Sequence, residues 1–276
     1  REWKTRQVKD ILERIGKFQF QDLEQNDHNS PKSQDNHVAN PNILPNVLYA
    51  SGTREQYGYR SKITPHYDAP LRNPSKEIDA IGFKQKTSRR LVDVTRCDIA
   101  TEAINEALTK VREDKFLEAR EGRLKRPKKG ATLLLRDAHQ YAPHKSSLEQ
   151  NTNPEPVVET DHNTYVQTSV KDITFRFLAG NFFQNNPYVL PIMVDHVVGA
   201  SIRPNVDGKK MTHLIDCYCG SGLFCLTSAK EFQLCVGIEV NDKAVEEAKF
   251  NAQLNGVQNC KFVAASAEAI FESDDP

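Results

Sequence analysis

Leu214-Ile215-Asp216-Cys217-Tyr218-Cys219-Gly220-Ser221-Gly222-Leu223-Phe224 is the stretch on which the fold turns. Leu214-Ile215 is a short apolar run ending in an acid. Cys217 to Gly222 is a small-residue loop with two glycines, and Leu223 to Ala229 is apolar enough to begin a helix. Strand, tight loop, helix is the arrangement in which backbone N–H groups and a strand-end carboxylate converge on a nucleotide-like ligand. A second strand, Leu234-Cys235-Val236-Gly237-Ile238, ends in Glu239, where a carboxylate can accept hydrogen bonds from ribose hydroxyls.

The surrounding chain repeats the alternation. Met193, Val194, Val197 and Val198 line one face of a helix before the first strand, and Val245, Ala248, Ala252 and Leu254 one face of a helix after the second. Asp242 is expected to cap that later helix and Gly256 to close it. Lys261-Phe262-Val263-Ala264 is the third strand. Right-handed crossovers then make a parallel, doubly wound sheet, and the class is α/β. Three strands are few for such a sheet, so the domain is expected to be incomplete at its C-terminus. A dinucleotide loop would need a third glycine where Cys225 stands. An acid at the first strand end faces a ligand ammonium better than a pyrophosphate, so S-adenosylmethionine suits the loop better.

Upstream the pattern is different. Trp3, Val8, Ile11, Leu12 and Ile15 form the apolar stripe of an N-terminal helix, and residues 20–46 and 142–163 are polar and aperiodic. Tyr57 to Tyr67 alternates as a strand with Arg60, Lys62 and Thr64 on one face and Tyr59, Ser61 and Ile63 on the other. Strands are expected at Ala80–Phe83, Arg90–Val94, Ala131–Arg136 and Val170–Ala179, and a helix from Thr101 buries Ile104, Leu108 and Val111. The division is therefore 1–178, an α+β, mainly antiparallel domain with polar insertions, and 179–276, the α/β part. Between them Phe182-Phe183-Gln184-Asn185-Asn186-Pro187 admits two readings. Either its aromatics and carboxamides present a binding surface, or Asn186 caps a helix with Pro187 in its first turn and the phenylalanines are core.

Lys and Arg number 37 and so do Asp and Glu, so global charge decides nothing about nucleic acid. From Lys110 to Arg136, however, ten Lys and Arg face four Asp and Glu. Of these, Arg120, Arg123, Lys125, Arg126, Lys128 and Lys129, with Arg60 and Lys62 upstream, could track phosphates or be solvated surface, and Tyr57, Tyr59 and Tyr67 could stack on unpaired bases. No apolar run has the length of a membrane span. The cysteines at 97, 217, 219, 225, 235 and 260 include no CxxC pair and read as free thiols of an intracellular protein, in cytoplasm, nucleus or mitochondrion. A nucleic-acid-binding or nuclease protein with a vestigial nucleotide fold is the alternative on these residues, although no carboxylate cluster to hold a nuclease metal stands out.

Phe183-Gln184-Asn185, Asp216-Cys217-Tyr218-Cys219-Gly220-x-Gly222-x-Phe224, Gly237-Ile238-Glu239 and Ala244-Val245 to Asn251-Ala252-x-x-Asn255-Gly256 together resemble the RNA (uracil-5-)-methyltransferase family. The similarity is greatest to its fungal tRNA branch, which makes T-loop ribothymidine. Tyr59-Arg60-Ser61-Lys62, Ile81-Gly82-Phe83, Cys97 and Ala131 to Arg136 agree with it. The resemblance implies a Rossmann-like S-adenosylmethionine methyltransferase domain preceded by an RNA-facing α+β domain, with tRNA as partner. It puts cofactor contacts on Gln184, Tyr218, Glu239 and Ser266, to which the loop itself adds Asp216, Gly220 and Gly222; RNA contacts at Tyr59, Arg60 and Lys62 rest on the strand's own features, not on the resemblance. Cys97 matches an iron–sulfur ligand of cluster-bearing relatives, but the partner cysteines are missing, and no metal is expected. The implied reaction adds a cysteine thiolate to C6 of a flipped-out uracil, methylates C5, and removes the C5 proton with a carboxylate. In relatives that nucleophile lies in a Pro-Pro-Arg-containing motif, which this sequence lacks. Catalytic residues are thus expected C-terminal to Pro276, and the chain alone is expected to hold the methyl donor weakly and to methylate nothing.

Overall fold

The structure, a computed structural model, describes residues 56–68, 78–86, 88, 90–124, 130–141, 155–204 and 208–268. The expected N-terminal helix, the polar stretch 20–46 and the basic run 125–129 lie outside them. Strands β1 (Lys62–Ile63), β2 (His66–Tyr67), β3 (Gly82–Lys84) and β4 (Leu91–Asp93) precede helix α1 (Glu102–Arg120). Then come β5 (Ala131–Thr132), β6 (Leu135–Gln140), β7 (Pro156–Glu159), β8 (Tyr165–Val170) and β9 (Ile173–Leu178). Helix α2 (Val189–Ser201), β10 (His213–Asp216), α3 (Leu223–Ser228), β11 (Leu234–Glu239), α4 (Asp242–Leu254) and β12 (Cys260–Ala264) complete the order.

Two antiparallel sheets, β4-β3-β2-β5 and β1-β6-β8-β9 with β7 also on β6, stand beside a parallel sheet β10-β11-β12. The strand expected over Tyr57–Tyr67 is broken. Pro65 has no N–H to give a ladder, and the chain there leaves one sheet for the other. The facing segment breaks at the same level, where Leu133 N donates to the Pro65 carbonyl at 2.8 Å. Ala131–Arg136, expected as one strand, is consequently divided between β5 and β6. The stretch 142–163, expected as a loop, carries β7, because Val157 and Val158 pair with Ala138 and Asp137 of β6. Strand β8 was likewise not expected. It joins β9 through a two-residue turn at Lys171-Asp172, with Lys171 at φ 57°.

Helix α1 starts as its sequence implies. Thr101 caps it by accepting from Ile104 N, and Ile104 and Leu108 are buried, while Val111 is half-buried. Helix α4 begins one residue differently from expectation. Asn241, in extended backbone, accepts from Lys243 N at 3.0 Å, which leaves Asp242 inside the first turn, where its charge meets the helix N-terminus. Gly256, at φ 66°, closes the helix as expected.

The described residues fall in one compact unit, Gly52–Pro276. Pairing changes from antiparallel to parallel after residue 178, but packing does not break there. One hydrophobic cluster contains Val166, Phe175 and Phe177 of β8 and β9 together with Leu226, Ala248 and Phe262 of the α/β part. Strand β9 is an edge, and α4 covers it with side-chain amides. Asn255 accepts from Thr174 N at 2.8 Å and donates to Thr174 O at 2.7 Å. Asn251 accepts from Arg176 N at 2.9 Å and donates to Arg176 O at 3.2 Å. Two carboxamides one helical turn apart thus stand in for a neighbouring strand.

Candidate ligand site

The loop 217–222 runs from the end of β10 to the start of α3. Its backbone is held down by Cys219 N donating to Ile238 O at 3.0 Å and Gly222 N to Cys219 O at 2.8 Å. Gly220 (φ 53°) and Gly222 (φ 91°) occupy left-handed backbone that side chains disfavour. Gly237, in β11 under the loop, is a place of close approach. A Cβ there would lie 2.7 Å from Cys219 Sγ and 2.6 Å from Phe262 Cδ1. Gly237→Ala is therefore expected to destabilise the protein by about 1–3 kcal/mol, the range for overpacking. Chemical denaturation would show it as an unchanged slope with a lower midpoint.

Glu239 Oε2 accepts from Gly220 N at 3.1 Å and Oε1 from Asn241 N at 3.0 Å, so this carboxylate ties the loop to the end of β11. Asp216 pairs in register with Gly237 on the neighbouring strand and is half-buried. Its Oδ2 is buried with no hydrogen-bond partner among the described residues. Burial raises its pKa and the nearby Glu239 adds to the rise, while the Tyr218 backbone N–H pulls it partly back. Two carboxylates, one with an unused buried oxygen, make the mouth of this loop negative. It suits a ligand carrying a positive charge and hydroxyl donors. Tyr218, 77% exposed, stands open beside it. Ser266, after β12, is exposed and its hydroxyl pairs with Glu268.

Gln184 sits on the segment that joins β9 to α2. The reading as a helix cap over core aromatics holds in part, with Pro187 ahead of the helix rather than in its first turn. Asn186 Oδ1 accepts from Tyr188 N and Val189 N, each at 3.1 Å, so it caps the entry to α2. Phe183 is buried, stacked on Phe177 with centroids 4.6 Å apart, whereas Phe182 is exposed. Gln184 itself is exposed and lines a cavity of about 190 Å³ with Arg136, Asp137, Phe177, Phe183 and Tyr188.

Arg60 and Lys62, expected on an RNA-facing strand surface, spend donors inside the molecule. Lys62 Nζ donates to the carbonyls of Gly180 at 2.7 Å and Asn181 at 3.2 Å, and Arg60 Nε to Lys62 O at 2.9 Å. Tyr59 is half-buried. Three polar residues were quoted from the sequence without a role: Arg136, Asn251 and Asn255. The signal for Arg136 was a guanidinium closing the apolar run Leu133-Leu134-Leu135, where burial demands internal partners.

The cysteines are all free. Burial, with Asp216 and Glu239 adding to it, pushes the Cys219 thiol up to about 12, and burial also raises Cys225, so neither is a ready thiolate. No group of three His, Cys, Asp or Glu among the described residues could hold a metal ion, and no described helix is long and apolar enough to cross a membrane.

Residues 155–274, which include Gln184, Asp216, the loop, Glu239 and Ser266, match the family described as tRNA (Uracil-5-)-methyltransferase. The chain is 37% identical over 233 residues to the tRNA (uracil(54)-C(5))-methyltransferase of Schizosaccharomyces pombe, covering 84% of this chain and 41% of that protein. It is 36% identical over 261 residues to the enzyme of the same description from Saccharomyces cerevisiae, covering 80% and 40%. The chain thus spans about two fifths of the length of these curated relatives. Among solved structures, it is similar to the Pyrococcus abyssi tRNA (uracil-54, C5)-methyltransferase in complex with S-adenosyl-L-homocysteine. The TM-score is 0.53 at 19% identity, over 76% of this chain and 56% of that one, which shows a shared fold. The α/β, Rossmann-like fold that the resemblance implied stands.

Proposed function

We infer that the chain is the donor-binding part of an S-adenosylmethionine-dependent enzyme that methylates uracil C5 in RNA, the target being the T-loop uridine of tRNA. The unpartnered, buried Oδ2 of Asp216 beside Glu239 carries this reading. A sulfonium and an ammonium are the charges such an oxygen lacks, and ribose hydroxyls are donors for the lone pairs that Glu239 retains. When bound, S-adenosylmethionine supplies the electrophilic methyl group. Gly220 and Gly222 let the loop backbone approach it, Tyr218 offers an aromatic face, Gln184 a carboxamide, and Ser266 a hydroxyl on the adenine side. The match of residues 155–274 to the tRNA (Uracil-5-)-methyltransferase family supports the choice of base and position.

Cys219 and Cys225, beside the loop, are buried with raised thiols, so neither is a ready pyrimidine-attacking thiolate. On the RNA side, a groove of about 630 Å³ lined by Tyr57, Arg96, Thr101, Asp137 and Tyr188 adjoins the Gln184 cavity, sharing Thr101, Asp137 and Tyr188 with it. Exposed Tyr57 can stack on an unpaired base, and Tyr59 and Arg60 stand at the same strand start. Lys62 contributes by holding the segment behind the cavity rather than by meeting phosphate. The test is to give the full-length protein methyl-labelled S-adenosylmethionine and an unmodified tRNA transcript. Label is expected at the T-loop uridine and is expected to vanish when that uridine is replaced by cytidine. Label elsewhere, or none, would sink the reading.

A further inference from the structure

Arg136 leaves an apolar strand and is 1% exposed, yet its hydrogen-bond acceptors among the described residues are carbonyls and a carboxamide rather than a carboxylate. Its guanidinium is spent on one segment. Nε donates to Ala179 O at 3.2 Å, one terminal nitrogen to Asn181 O at 2.7 Å, and the other to Asn185 Oδ1 at 3.1 Å. Its plane lies over the Phe177 ring at 5.2 Å, and Phe177 in turn stacks on Phe183. Lys62 adds its two bonds to Gly180 and Asn181 from the neighbouring strand, and Ser61 N donates to Asn185 O at 2.8 Å. The segment from Ala179 to Asn185 therefore wraps its carbonyls around two cations, and Gln184 lies between two clamped residues, Phe183 and Asn185.

A hydrophobic floor would have fixed Phe183 alone. A planar fork with donors at fixed angles also fixes the direction in which the backbone leaves it. The cost of burying the charge is visible, since burial and the nearby Arg60 lower the Arg136 pKa to about 10. A methionine or leucine would avoid that cost and still fill the space. The geometry points to Arg136 as the positioning residue of the donor site, acting through Gln184. This rests on the proposed cofactor role of Gln184 and goes beyond it by naming what aims that side chain.

The test is a double-mutant cycle in the full-length protein, with S-adenosylhomocysteine as the probe in calorimetry. Arg136→Lys keeps the charge but cannot reach three acceptors in a plane. It is expected to weaken binding about tenfold, as Gln184→Ala does, and the two changes together are expected to cost no more than either alone. Amide exchange should rise in residues 179–186 and not in α4. Should Arg136→Lys fail to fold, Asn185→Ala removes one acceptor and runs the same cycle. Wild-type affinity in Arg136→Lys, no effect of Gln184→Ala, or additive losses in the double variant would each overturn the positioning role. A wild-type protein that does not bind the probe at all would instead overturn the proposed function, and this inference with it.

Discussion

Asn251→Leu is expected to lower stability by about 2–4 kcal/mol, and the melting temperature by about 4–16 °C in a unit of this size. The side chain is completely buried and close to leucine in volume, so little of the loss comes from a cavity. What is lost is a set of three partners. Arg176 N and Arg176 O, on the free edge of β9, lose their substitute strand, and Ser221 O in the ligand loop loses the donor it meets at 3.3 Å. A buried amide left without a partner costs more than a hydrogen bond is worth, because water cannot replace it. Asn255→Leu, one turn away and half-buried, should cost less. Thermal melts of both variants, with amide exchange read at Thr174 and Arg176, check this. A loss for Asn251→Leu smaller than that for Asn255→Leu would mean that the β9 edge is not held by these amides. Because Asn251 also reaches Ser221, its loss should loosen the loop as well as the edge.

That pair of asparagines shows where sequence reading reached its limit. The residues with regular spacing were legible: Ile104 and Leu108 on α1, Val245 and Ala248 on α4, and the strand ends that carry Asp216 and Glu239. Each follows from a period that one face of one element imposes. Contacts between elements have no period. Lys62 looked like a solvent-facing cation because alternation reports only which side of a strand a residue is on. It cannot report that the segment 179–185 folds over that side and takes the ammonium for its own carbonyls. Strand β7 was illegible for a related reason, since its hydrophobic content is two valines and its place is set by β6. The site was read as single residues, each with a ligand in mind. The structure adds what connects them: Glu239 fastened to Gly220, Asn251 to Ser221, and Arg136 to both flanks of Gln184.

Asp216→Asn is expected to move stability and binding in opposite directions. In the protein without ligand, burial and the neighbouring Glu239 hold the Asp216 carboxyl above the usual carboxylate range. The native state then keeps this proton to a higher pH than the unfolded chain does. The contribution of Asp216 to stability is therefore full below the unfolded pKa and shrinks as pH rises through the raised native one. Asparagine stays neutral throughout, so the variant should melt higher than wild type near neutral pH, and the gap should close in acid, below about pH 4. Binding of S-adenosylmethionine should fall about 10–100-fold, because the ionised oxygen that would face a cation is gone and charge-assisted bonds are about twice as strong as neutral ones. The same carboxylate gives wild type an affinity that weakens as pH drops through the raised pKa, a dependence the asparagine variant should lack. Melting curves and calorimetry at matched pH separate the two effects. A variant that melts lower than wild type and binds the cofactor equally well would make Asp216 a structural acid and remove it from the site. Opposite signs are the mark of a charge placed for a ligand: it burdens the empty protein and is relieved only when a cation arrives.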